Sequence, residues 1–146
     1  MTPAEIAADL RRSVHEGWNV CAGARADQTA RRPAPGKWCA REILGHLIDS
    51  ATNNHRRFIL AQIESHTIEP YAQNEWVERQ RYHDADWHDL VTLWRAYNLH
   101  LARVIEAMPE DALATPVPPH TLGFIAEDYV RHLRHHLQQI RTLIAS

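Results

Sequence analysis

The last long segment of the chain, residues 121–143, reads TLGFIAEDYVRHLRHHLQQIRTL. At about 100° per residue, its apolar side chains share one arc of a helix, made up of Leu122, Ile125, Tyr129, Leu133, Ile140 and Leu143. His132 and His136 lie at the edge of that arc, one turn apart, whereas His135 projects toward the wet face. Thr121 is a suitable N-cap for this helix. A helix with one apolar face needs other helices to cover it.

Three further long helices are predicted before this one. Their expected ranges are Pro3 into the low twenties, the stretch from after the breaker cluster Arg32–Gly36 to near Thr67, and the stretch from an Asp86 N-cap to Met108. A short helix or loop, residues 73–82, is expected between the second and third. Short connections and one longer crossover predict an all-α fold, a four-helix bundle in a single domain spanning residues 1–146.

Composition excludes several classes of protein. The 146 residues carry 16 Lys and Arg against 18 Asp and Glu, so there is no basic field for nucleic acid. No apolar run is long enough to span a membrane, and the N-terminus reads as a capped helix rather than a signal peptide. The two cysteines form neither a CxxC pair nor a disulfide framework. We therefore expect a soluble, cytoplasmic protein.

Histidines on inner helix faces indicate a metal site. Two inward imidazoles one turn apart are hard to satisfy among Leu, Ile and Tyr, and a shared cation would satisfy both. His46 on the second long helix would supply a third nitrogen. Three neutral imidazoles leave a coordination position open, as in catalytic rather than structural sites. We expect one divalent ion, with Zn²⁺ first and Ni²⁺ second, whose open position could hold water or a substrate thiol.

Other polar residues near this site are candidates for a role. His46, Ser50, Asn53 and Arg57 form a stripe that is either a solvated helix border or the wall of a pocket. Asp49 is either a surface acid or a carboxylate that orients an imidazole. On the remaining helices, His100 and Tyr129 are expected to point inward, as core residues or as catalytic groups. His100 would then be a general base or a distal metal ligand, and Tyr129 would hydrogen-bond a metal-bound group.

Three segments resemble the DinB/YfiT-like metal-binding four-helix bundles. They are residues 36–50 (GKWCAREILGHLIDS) with Asn54, Arg57 and Phe58 after them, residues 71–76 (YAQNEW), and residues 129–140 (YVRHLRHHLQQI). The resemblance covers most of the chain and implies metal ligands at His46, His132 and His136. It also implies a homodimer. Two departures are Cys39, where relatives usually carry Ser or Thr, and Ala72, a position often acidic in relatives.

The resemblance favours a metal-dependent enzyme that transfers a low-molecular-weight thiol to an electrophilic small molecule, and it leaves two alternatives open. Several relatives are thiol transferases that use bacillithiol, mycothiol or glutathione, and others are named only as metal-dependent hydrolases. For a transferase, we expect Asn53, Asn54 and Arg57 to bind the polar arms of the thiol, with Ser50 in the same pocket wall. The alternative outside the enzymes is a metal-stabilised binding or stress-response module that catalyses no reaction. No partner other than a small-molecule substrate and a second copy is expected.

Overall fold

The computed structural model describes residues 1–145, which form six α-helices and one short hairpin. The helices are α1 (Pro3–Cys21), α2 (Ala26–Ala30), α3 (Ala40–Ile63), α4 (Gln73–Arg79), α5 (Trp87–Glu106) and α6 (Leu122–Ala145). The hairpin pairs β1 (Pro116–Val117) antiparallel with β2 (His120–Thr121). Within residues 1–145, no helix has both the length and the apolar character that crossing a membrane requires.

The four long helices pack as a bundle in which α1 and α3 lie diagonally. Each of these two helices contacts both α5 and α6. Their apolar faces meet in one core, whose fully buried side chains include Leu10, Leu44, Trp94, Leu101 and Leu133. The four-helix prediction is confirmed. Because α3 and α6 are neighbours although 58 residues of chain separate their adjoining ends, residues distant in sequence can share a site between them.

Capping residues begin the long helices where the sequence predicts. The Thr2 hydroxyl accepts a hydrogen bond from the Glu5 amide, and the Asp86 side chain accepts one from the Asp89 amide. The Thr121 hydroxyl accepts from the backbone N–H of Phe124 at 3.2 Å, at the start of α6. The predicted end of α3 near Thr67 is wrong, because the helix ends at Ile63 and the chain becomes extended from residue 64.

Two of the shorter elements, α2 and the hairpin, were not predicted. Helix α2 has five residues and each hairpin strand has two, so none is long enough to develop a recognisable hydrophobic period. The expected short helix in residues 73–82 is confirmed as α4, followed by a single 3₁₀ turn at Tyr82–Asp84. Both of these elements pack against α3 and cover one side of it.

Gly45 allows this cover to approach α3 closely. A Cβ atom at position 45 would lie 2.1 Å from Cδ2 of Tyr82, which is far inside van der Waals contact. Glycine in a helix interior costs about 1 kcal/mol relative to alanine, and here that cost makes room for a buried aromatic ring. Tyr82 is thereby positioned against α3 beside His46, the next residue in the helix.

Candidate metal centre

Three imidazoles from two helices meet between α3 and α6. The Nε2 atom of His132 lies 3.3 Å from Nε2 of His46 and 3.1 Å from Nε2 of His136. The ligand nitrogens of all three residues lie within 4.8 Å of one another. His46 is buried and the other two are half-buried. The structure therefore brings together the three histidines that the sequence selects.

The spacing of these nitrogens fits a shared divalent ion. Two nitrogens bound at about 2.0–2.1 Å in tetrahedral geometry stand about 3.3–3.4 Å apart, which is close to the observed 3.1 and 3.3 Å. Hydrogen bonding alone explains the cluster poorly, because Nε2 of His132 faces two other nitrogens and can donate at most one proton. Among residues 1–145 the group holds three nitrogen donors and no carboxylate, a set that suits zinc or another borderline transition metal.

Electrostatics keeps these rings in the form that binds metal. Burial, with the nearby imidazoles adding to it, lowers the pKa of His46 to about 4. Burial also lowers the pKa of His132 to about 4 and that of His136 below its ordinary value. Neutral imidazole has a lone pair to offer, so the site is ready for a cation at neutral pH.

The outer nitrogens of the three rings differ in their surroundings. Nδ1 of His136 lies 2.8 Å from the side-chain oxygen Oε1 of Gln139, which fixes Nδ1 as the protonated nitrogen and leaves Nε2 free as a ligand. Nδ1 of His46 is buried and has no hydrogen-bond partner within residues 1–145. His135 is exposed, as predicted, and takes no part in the cluster.

A polar cavity of about 250 Å³ opens beside His132. Ser50, Asn54 and Arg57 of α3 line one wall, and Tyr71 lies opposite in the loop before α4. Ser50 and Arg57 of the polar stripe on α3 therefore lie in a cavity wall. Three of the four residues predicted to bind substrate, Ser50, Asn54 and Arg57, line the cavity, and the fourth, Asn53, does not.

Arg57 gives this cavity a positive charge. Its guanidinium donates to the backbone oxygen of Glu69 at 2.8 Å and to Oδ1 of Asn54 at 3.4 Å. Within residues 1–145 it makes no ion pair, and burial lowers its pKa. A guanidinium keeps its proton even so. Asp128, also in the wall, is paired with Arg131 at 3.1 Å, so the Arg57 charge is left to attract an anionic or strongly polar group.

Asp49 is neither the surface acid nor the imidazole-orienting carboxylate that the sequence suggests. It is 2% exposed, so it is not a surface acid, and burial raises its pKa. Its Oδ1 accepts from the Tyr82 hydroxyl at 2.7 Å and from the Gln80 amide at 2.8 Å, while Oδ2 has no partner within residues 1–145. The carboxylate therefore binds the segment after α4 and does not orient an imidazole.

Three other candidates do not join the histidine cluster. Asn53 does not line the cavity, because its amide donates to the backbone oxygen of Asp49 at 2.9 Å. The inward orientation predicted for His100 is wrong: two residues beyond the buried Asn98, it lies about 200° around α5 and is exposed. Tyr129 is a buried core residue, as one reading held, but its hydroxyl donates to Asn98 rather than toward the cluster.

Cys39 begins α3 without acting as a reactive thiol. Its backbone N–H donates to the Glu42 carboxylate at 3.1 Å, as in a capping box at the start of α3. The residue is buried, and burial raises the pKa of the thiol. A packing role is the one consistent with this environment.

Sequence reasoning gave no role to Gln139, Tyr71 or Asp128, and Trp38 entered only as part of the resemblance. Gln139 carries a recognisable signal, because an amide three residues after a histidine lies on the same helix face. Trp38 precedes α3, and its ring centroid lies 5.1 Å from that of His46. Tyr71 and Asp128 reach the cavity only through the loop path and the packing of α6 against α3, which no local pattern encodes.

The fold and the cluster define a class: helical bundles that present three inward histidines between two adjacent helices. Comparison with protein families agrees with this description. The family model described as DinB superfamily matches residues 4–140, and the chain belongs to that superfamily.

Named relatives and a solved structure extend the comparison. The chain is 41% identical over 44 residues to a protein of Bacillus mycoides (strain KBAB4) named "Putative metal-dependent hydrolase", and equally to one of that name in Bacillus cereus (strain B4264). Each match covers 30% of this chain and only 25% of the relative. YfiT from Bacillus subtilis, described as "a probable metal-dependent hydrolase with an unusual four-helix bundle topology", superposes with a TM-score of 0.85 at 22% identity, covering 97% of this chain and 85% of YfiT.

Proposed function

We propose that this protein is a metal-dependent enzyme that transfers a small thiol to an electrophilic small molecule. The observation that carries the proposal is that two separate cavities reach the histidine cluster. The polar cavity ends at His132, and a larger groove of about 720 Å³ ends at His136. A reaction between two organic substrates needs two such compartments, whereas hydrolysis of one substrate by water needs only one.

The polar cavity suits the thiol. Arg57 would bind a carboxylate or phosphate of the thiol compound, and Asn54 and Ser50 would hydrogen-bond its amide or hydroxyl groups. Because these three residues follow His46 along α3, a thiol held by them would have its sulfur directed toward the histidine cluster. A divalent ion held by the three imidazoles would act as a Lewis acid that favours the thiolate form of the sulfur.

The reaction then has a simple balance. The sulfur forms a bond to the electrophilic carbon, the leaving group departs with the electrons of the bond that breaks, and the thiol proton passes to bulk water. The chain's own contribution is positioning and exclusion of water, since the Asp128 carboxylate is paired with Arg131 and the Tyr129 hydroxyl donates to Asn98. Alignment of the two substrates by opposite walls would supply much of the rate.

Hydrolysis of a small substrate is the second candidate, favoured by the names of the relatives in Bacillus mycoides and Bacillus cereus. In that case water would take the place of the thiol, and Arg57 would bind an anionic group of the substrate. The histidine cluster serves either nucleophile.

The experiment is a direct competition between these two nucleophiles. Zinc-loaded protein would be tested with monobromobimane and glutathione, cysteine, bacillithiol or mycothiol, and separately with para-nitrophenyl acetate in water. Thiol transfer that is lost in His132→Ala and kept in His135→Ala supports the proposal, since His135 neighbours the cluster without joining it. Ester hydrolysis without thiol transfer, or no turnover with any of these substrates, would overturn it.

A further inference from the structure

A groove separate from the polar cavity runs from the surface to His136. The loop of residues 33–38 forms one wall, and the last turns of α6 form the other, with Gln139 and Thr142 facing the space. Gly36 lets the loop turn, because its φ of 78° lies in the left-handed region that side chains disfavour. At about 720 Å³ the groove is within the usual size range of small-molecule sites, roughly 300–1,000 Å³.

The inner end of the groove reaches the metal centre at two points. His136 itself lines the groove, and Nδ1 of that ring is held by Gln139, another lining residue. Trp38 lines the groove as well, and its ring centroid lies 5.1 Å from that of His46. A molecule in the groove would therefore contact His136, whereas a molecule in the polar cavity would contact His132.

The chemistry of the walls is mainly hydrocarbon with one charge. Carbon surfaces come from the side chains of Pro33, Ala34, Trp38, Ile43 and Leu143. The charge comes from Lys37, the only lysine in the sequence. Lys37 is exposed and makes no ion pair within residues 1–145. An apolar body next to a free ammonium group matches an amphipathic anion.

We infer that this groove binds the electrophilic substrate, and that this substrate has an apolar alkyl or aryl body with a carboxylate that pairs with Lys37. That the bound molecule is an electrophile rests on the proposed function. That the groove binds an amphipathic anion does not. A second copy of the chain is a poorer occupant, because the imidazoles at this end of the groove are buried or half-buried and a protein surface would not contact them.

The first test measures binding of octanoate by calorimetry, with octanol as the uncharged probe. Thr142→Trp places a large ring in the groove from an exposed position of α6, and Thr92→Trp makes the same change at an exposed position of α5. We expect Thr142→Trp to weaken octanoate binding by about tenfold or more, and Thr92→Trp to leave it unchanged. Lys37→Gln should weaken octanoate by about two- to fivefold and leave octanol unaffected, as an exposed ion pair implies.

Several results would overturn the inference. One is that the wild type does not bind octanoate, and another is that Thr142→Trp binds octanoate as tightly as the wild type does. A third is that Thr142→Trp loses octanoate binding together with a change from dimer to monomer in sedimentation. The last result would assign the groove to a second copy.

A kinetic test separates this inference from the proposed function. Octanoate should inhibit thiol transfer competitively with the electrophile and not with the thiol. If transfer is absent but Thr142→Trp still blocks octanoate, the proposed function fails and the binding site stands. If transfer occurs and octanoate competes with the thiol or with neither substrate, the inference fails alone.

Discussion

The metal-free protein should lose stability in mild acid through His46. Its pKa is lowered to about 4 by burial, against about 6.5 in the unfolded chain. The unfolded state therefore binds the proton first, so the stability present above about pH 6.5 falls as the pH drops toward 4. Between about pH 7 and pH 4.5, these two pKa values give a loss of about 2 kcal/mol in the free energy of unfolding from this residue.

Urea unfolding with a chelator present measures this loss. The free energy of unfolding would be compared at the two pH values for the wild type, for His46→Gln and for the control His135→Gln, an exposed histidine on α6. Glutamine at position 46 does not titrate, so that variant should lose about 2 kcal/mol less than the wild type and the control. Equal losses in all three proteins would refute the reasoning, because His46 would then be protonated as easily in the fold as outside it.

Three further substitutions test how the site is supported. Gly45→Ala should lower the free energy of unfolding by about 1–3 kcal/mol, because its Cβ would meet an aromatic ring at 2.1 Å; Gly23→Ala, which has open space around its Cβ, should not, and equal urea midpoints would contradict the packing. Gln139→Ala should weaken zinc binding by about 10- to 100-fold in a chelator competition, because it removes the hydrogen bond that orients His136. An equal loss in the control Gln138→Ala would contradict that explanation. Tyr129→Phe should cost about 1–3 kcal/mol of stability while metal content is unchanged, and loss of metal would show that its hydroxyl belongs to the site.

The ligand set of the site follows from the sequence because it depends on local periodicity. His132 and His136 lie four residues apart at the edge of an apolar arc, and that arc survives in the structure as the buried face of α6. His46 adds a third inward ring on a helix of equally clear pattern. Helical spacing fixes which way such residues face, and only the pairing of α3 with α6 had to be supplied by the fold.

Predictions at the margins of helices were weaker for a physical reason. His100 stands two positions after a buried residue, and small differences in the centre of the apolar stripe decide whether such a position is inside or outside. Asp49 is buried only because Tyr82 and Gln80, which follow α4, cover it and hydrogen-bond it. That cover depends on Gly45 and on a loop path, neither of which leaves a periodic signal.

The walls of the two cavities depend most on long-range structure. Tyr71 reaches the polar cavity from a loop, and Lys37 reaches the groove from the turn at Gly36. Arg57 is different, since its place on the polar stripe of α3 makes a pocket wall one of two readings of the sequence. Sequence thus gives the helix-borne half of the site, and packing of loops on the bundle gives the rest.

Metal content measured on tag-free protein tests the central claim most directly. If the three Nε2 atoms hold one ion, elemental analysis should find about one divalent equivalent in the wild type and in His135→Ala. His46→Ala and His132→Ala, from two different helices, should each lose it while keeping their helical circular dichroism. Full metal retention in both of these variants would contradict a shared centre between α3 and α6.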